Sequence, residues 1–99
     1  MIIKLIIVHV KRGHMDAYLA AQDVWNKETQ NAAGYLGALS GRDTAEPNTV
    51  YVQCFWQSRA DLDRWMETEH DRIAAIAKAG EHYERIEVKI IDTDSSMSL

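Results

Sequence analysis

Cysteine and proline each occur once in the sequence, as Cys54 and Pro47. No apolar run approaches the ~20 residues that a membrane-spanning helix needs. A lone cysteine cannot close an internal disulfide, which fits a reducing compartment and makes a cytoplasmic location the expected one. Basic residues are few as well: 11 Lys and Arg stand against 15 Asp and Glu, for a net charge of −4. They are scattered rather than gathered into a stripe, so neither nucleic acid nor an anionic membrane is an expected partner. Repeats, linkers and low-complexity segments are absent. So are metal-ligand spacings, a glycine-rich phosphate loop and a nucleophile elbow, and no metal site is expected. The opening MIIKLIIVHVKRG is too short, too interrupted by Lys4 and too poor in small residues afterwards to read as an export signal.

What is present is a chain of 99 residues, 46% of them hydrophobic, the size and composition of one globular domain. Ile2 to Val10 is rich in β-branched residues and apolar on both alternating sets, with Ile6, Val8 and Val10 on one side and Ile3, Leu5 and Ile7 on the other. Such a strand is covered on both faces. From His14 to Gln30 the period turns helical, with Met15, Tyr18, Leu19, Gln22, Trp25 and Asn26 on one stripe and Gly34 suited to the cap beyond it. Tyr35 to Asp43 and Val50 to Gln57 read as a hairpin around the turn Thr44–Thr49, with Gly37 or Gly41 marking a bulge. Ser58 is the predicted N-cap of a second helix ending near Ala79, before Gly80. Tyr83 to Asp92 alternates as a strand with one wet face. Residues 1–92 are thus expected to form one domain, and 93–99 a loose polar tail.

The order βαββαβ predicts an α+β, ferredoxin-like fold: a four-stranded antiparallel sheet with both helices on one face. The other face of the sheet still needs cover, and a second copy of the chain is the simplest one, so a homodimer is expected. Both helices carry polar groups on their apolar faces. At about 100° per residue, Leu62, Met66, Ile73, Ile76 and Ala77 cluster, with Trp65 and His70 at the edges and Glu69 inside. Gln22 and Asn26 interleave with Tyr18, Leu19 and Trp25. Buried polar groups need partners, and one solution is a cavity between helices and sheet, walled by Trp25, Trp56 and Trp65, that holds a small molecule. There Glu69 or His70 could act as acid or base, and His70 could bind a metal. The other solution is plain: a helix break near Glu67–His70 turns Glu69 to solvent, Gln22 bonds Asn26, and the tryptophans are core. Cys54 reads as a small buried hydrophobe, and His9, His14 and His82 as surface or edge residues.

The join V-Y-V-x-x-F-W-x-S-x-x-x-L-x-x-W, Val50 to Trp65, with V-K-R-G-H at Val10 to His14, resembles the antibiotic-biosynthesis-monooxygenase-like proteins of the dimeric α+β barrel superfamily. The continuation W-M-x-x-x-H-D-R-I resembles an uncharacterised monooxygenase-like subgroup. The resemblance implies two sheets paired into a barrel and a pocket between each sheet and its helices. Members include cofactor-independent oxygenases of aromatic polyketides and heme-degrading oxygenases. The heme degraders use an asparagine on the first strand and a tryptophan and histidine on the second helix. Only the tryptophan carries over, to Trp65; the other two positions fall near Ile6 and Ala75, with His70 half as far along the helix. The leading expectation is therefore a small flat apolar or aromatic ligand, oxidised without a cofactor, with Glu69 or His70 as base and Gln22, Asn26 and Trp65 as donors. Heme bound through His70, and a non-catalytic binding or assembly module, are the alternatives.

Overall fold

The computed structural model describes residues 1–93. Four strands, β1 (Ile2–Val10), β2 (Tyr35–Arg42), β3 (Thr49–Trp56) and β4 (Tyr83–Asp92), form one antiparallel sheet in the order β2-β3-β1-β4. Helix α1 (Met15–Thr29) joins β1 to β2, and α2 (Arg59–Thr68) and α3 (His70–Ala77) join β3 to β4. The arrangement is the ferredoxin-like one, with β1 and β3, the most apolar strands, at the centre. No helix among the described residues is long and apolar enough to cross a membrane.

Strand parity decides what each face holds. Ile2, Lys4, Ile6, Val8 and Val10 of β1 face the helices, and the register continues that face through Cys54 and Val52 on β3 and through Ile86, Val88 and Ile90 on β4. The buried apolar residues fall into two clusters. Ile2, Trp56, Leu62, Trp65 and Ile73 form one, and Val8, Val10, Tyr18, Val50 and Val52 the other, with Cys54 against both. Lys4 and Ile6 lie on the strand between them. The opposite face of the sheet carries Ile3, Leu5, Ile7, Tyr51 and Phe55, half-buried, with Leu39 and Ile91 exposed.

The second helix is two helices. Ser58 caps α2 by accepting from the Asp61 amide at 3.2 Å. At its far end the Thr68 hydroxyl donates back to the Arg64 carbonyl at 2.8 Å, a contact that bends helices. Glu69 then leaves helical geometry at φ −120°, ψ −31°. The break shifts the phase of everything after it: Ile73 is fully buried, whereas Ile76, expected on the same stripe, is 53% exposed; Met66, before the break and also expected on that stripe, is exposed as well. α3 ends not at Gly80 but at Lys78, which adopts the left-handed conformation, φ 53°, and donates its amide to the Ala74 carbonyl.

Two further expectations change. The β4 side chains Ile86, Val88 and Ile90 lie on the helix side but stay exposed, so β4 has no dry face. Thr93, assigned to a loose tail, donates its amide and hydroxyl to the Met1 carbonyl at 3.1 and 2.9 Å. The rest of that tail, 94–99, lies outside the described residues. The predicted bulge is found at Gly37, whose φ of +131° disfavours any side chain.

Candidate functional site

A cavity of about 200 Å³ lies between the two core clusters, floored by the sheet and roofed by α1, α2 and α3. There the strand β1 interrupts its apolar helix-facing set with Lys4, and α1 presents the polar Gln22 and Asn26. Trp25, Trp56 and Trp65 form its aromatic wall, with ring centroids 6.0 Å (Trp25–Trp65) and 5.4 Å (Trp56–Trp65) apart. Tyr35 meets Trp56 edge-on at 5.1 Å. Ile86 and Val88 of β4 line the same hollow, which explains why they are apolar yet uncovered. A shallower hollow beside β2 shares Asn26 and Tyr35.

Of the residues singled out from the sequence, the cavity brings together Gln22, Trp25, Asn26, Trp56, Trp65 and His70. Gln22 and Asn26 both line it and bond along α1: the Tyr18 hydroxyl donates to Gln22 Oε1 at 3.0 Å, and Gln22 Nε2 to Asn26 Oδ1 at 3.4 Å. The His70 ring stands 5.2 Å from Trp25 and 5.6 Å from Trp65, with Nδ1 3.2 Å from Asp71 Oδ1. Glu69 is not brought in. The break at its own position turns the carboxylate outward, where it accepts from Arg72 Nε at 2.8 Å. Arg72 reaches Glu28 as well.

The unpaired donors are the most informative feature of the wall. The indole N–H groups of Trp56 and Trp65 are buried and have no hydrogen-bond partner. Buried polar groups are normally satisfied, and each exception calls for a reason. Lys4 is a related case, with a thioether as its hydrogen-bond partner and no counter-charge among the described residues; it was missed in the sequence as a site residue although its parity with Ile2 and Ile6 already put it on the helix face. Its side chain is 6% exposed. The ammonium lies 3.3 Å from the Met66 thioether and 5.3 Å from the Trp65 ring centroid.

Burial shapes the titration of this wall. It lowers the Lys4 amine from its ordinary value, with Cys54 opposite it acting the other way to a smaller degree. It raises the Cys54 thiol, which Lys4 partly offsets. Tyr18 and Tyr35 are pushed up to about 12, chiefly by burial. The phenols and thiol are thus neutral at physiological pH. No carboxylate among the described residues lines the cavity.

Among the described residues, no three or more His, Cys, Asp or Glu side chains are placed to hold a metal ion. The cavity is also below the about 300–1,000 Å³ of sites for drug-sized ligands, and a porphyrin is larger than those. With His70 wedged between two indoles, the residues present do not fit a heme.

Residues 2–91 match the family described as Domain of unknown function (DUF4937). The uncharacterized protein YdbC of Bacillus subtilis (strain 168) is 31% identical over 75 residues, 74% of this chain but 62% of that protein, so the chain spans less than two thirds of this relative. Among solved structures, SnoaB, a cofactor-independent oxygenase from Streptomyces nogalater, superposes with a TM-score of 0.81 at 10% identity, over 97% of this chain and 95% of its own. A candidate antibiotic biosynthesis monooxygenase from Deinococcus radiodurans gives 0.82 at 11% identity, over 100% and 98%. Identities this low speak for the fold alone, which is that of the antibiotic-biosynthesis-monooxygenase-like proteins. By its sequence, the chain belongs to the DUF4937 family.

Proposed function

We propose that the cavity binds a small, flat, largely apolar aromatic molecule carrying at least one hydrogen-bond acceptor. The observation that carries this reading is the cavity's aromatic wall of Trp25, Tyr35, Trp56 and Trp65, in which the indole N–H groups of Trp56 and Trp65 have no partner among the described residues. An empty site leaves each of them at a cost of about 1–3 kcal/mol, which an acceptor on a ligand removes. The test is a titration with 2-naphthol followed by tryptophan fluorescence. Saturable quenching is expected, weakened in Ala74→Leu, which narrows the cavity from α3. Quenching that rises linearly, or is equal in the variant, counts against the reading.

A reaction follows from the same wall, and the fold shared with SnoaB supports it. A substrate with an activated CH₂ loses a proton to His70, and the indole donors stabilise the resulting anion. One electron passes to O₂, the substrate radical and superoxide combine to a peroxide, and loss of water leaves a carbonyl. One oxygen atom ends in the product and the other in water, and every electron oxygen takes comes from the substrate. Oxygen uptake with an anthrone as substrate tests this, with the anthraquinone as expected product. A rate no higher than that of anthrone in buffer refutes it.

The chain is also proposed to act as a homodimer through the helix-free face of the sheet, where Ile3, Leu5, Ile7 and Phe55 are only half covered and Leu39 is 67% exposed.

A further inference from the structure

We propose that Lys4 is an anion-recognition residue of the cavity, so that the ligand is an aromatic molecule bearing an anionic oxygen, a carboxylate or an ionised phenol. This rests on the cavity being a site for a small aromatic molecule and adds the charge that such a ligand must carry.

Lys4 reaches the cavity from the middle of the central strand β1, where its cross-strand neighbours are Cys54 and Ile90, neither of them acidic. Its ammonium touches a thioether and overlooks an indole ring, and no salt bridge to it exists among the described residues. A charged group this deeply buried normally has a counter-charge, because thioether and ring contacts replace only part of its hydration. No Asp or Glu among the described residues lines the cavity beside Lys4, and acids of the covering helices lie against bases of their own. Glu69 and Glu28 are tied to Arg72, Asp61 to Arg64, and Asp71 sits beside His70 with its carboxylate in solvent. The missing anion therefore has to come with the ligand.

The geometry around Lys4 tells what else that ligand needs. Trp65, the ring beneath the ammonium, also presents an unpartnered N–H, and Trp56, 5.4 Å away centroid to centroid, presents another. The ammonium matches an oxygen anion, while the Trp65 and Trp56 rings beside it match a flat body. The cavity volume of about 200 Å³ limits that body to about two or three fused rings. Hydrogen bonds to a charged group are stronger than neutral ones, so charge should dominate the choice between ligands of one shape.

The test compares 2-naphthoate with 2-naphthamide, which share a shape and differ in charge, by calorimetry at pH 7. Wild-type protein is expected to prefer the naphthoate by at least about tenfold. Lys4→Met is expected to bind the two alike. A second readout needs no variant: the Lys4 side-chain resonance in the wild type should move on adding naphthoate and stay in place with naphthamide. If the wild type binds both alike, or the preference survives in Lys4→Met, Lys4 is not the anion site, while the aromatic-binding reading stands. If the wild type binds neither, both fall.

Discussion

Replacing Lys4 by methionine should make the ligand-free protein more stable. Methionine nearly matches the lysine stem in length and removes the buried ammonium. Leaving a buried polar group unsatisfied costs about 1–3 kcal/mol, and more when it is charged. The contact with the Trp65 ring returns about 0.5–2 kcal/mol of that. Taken end for end, the difference leaves a net gain of about 0.5–1 kcal/mol, and each kcal/mol raises Tm by about 4–8 °C in a domain of this size. Thermal and urea unfolding followed by circular dichroism give the number. The pH dependence gives an internal check. Burial lowers the Lys4 pKa in the folded state, so between that value and the ordinary 10.5 the unfolded chain binds the extra proton. Wild-type stability therefore rises with pH through that window, and the variant lacks the rise. Alkaline losses from Tyr18 and Tyr35, which set in above about 10, are common to both proteins and cancel in the difference. A variant less stable than wild type at pH 7, or a gap that does not narrow towards pH 10, refutes the assignment of Lys4 as a buried charge without a counter-charge.

In the oxygen-uptake assay, His70→Ala should reduce anthrone oxidation at least about a hundredfold, the low end of what a general base contributes. Glu69→Gln should leave the rate within about twofold, since its carboxylate faces Arg72 rather than the cavity; the reverse order of effects would return Glu69 to the mechanism. Lys78→Gly should stabilise the fold by about 1 kcal/mol, measured by urea unfolding, because the left-handed cap of α3 suits glycine better than lysine. Leu5→Glu, on the helix-free face of β1, should convert a dimer to a monomer in light scattering without loss of helical circular dichroism.

The strands were legible in the sequence because their signals are local and strong: β-branched density at Ile2–Val10 and strict alternation at Tyr83–Asp92 mark them without reference to anything else. The helix break was less so. It depends on whether the Thr68 hydroxyl bonds back into its own helix, a choice of rotamer that periodicity does not encode, and it carries Glu69 from the expected stripe to the surface. Lys4 was legible by parity, but a single lysine in a strong strand reads as an interruption rather than as a site residue. The exposure of Ile86, Val88 and Ile90 depends on how far the helices reach across the sheet, a tertiary fact with no counterpart in strand alternation. Gln22 and Asn26 were expected either to line a pocket or to bond each other, and they do both.

The most direct test of the account follows the three indole N–H resonances, those of Trp25, Trp56 and Trp65, in a ¹H–¹⁵N spectrum during titration with 2-naphthol. The account predicts saturable downfield shifts of Trp56 and Trp65, as their unpartnered donors gain an acceptor. Unchanged resonances up to the solubility limit of the probe, or small shifts spread over surface amides instead, would contradict it.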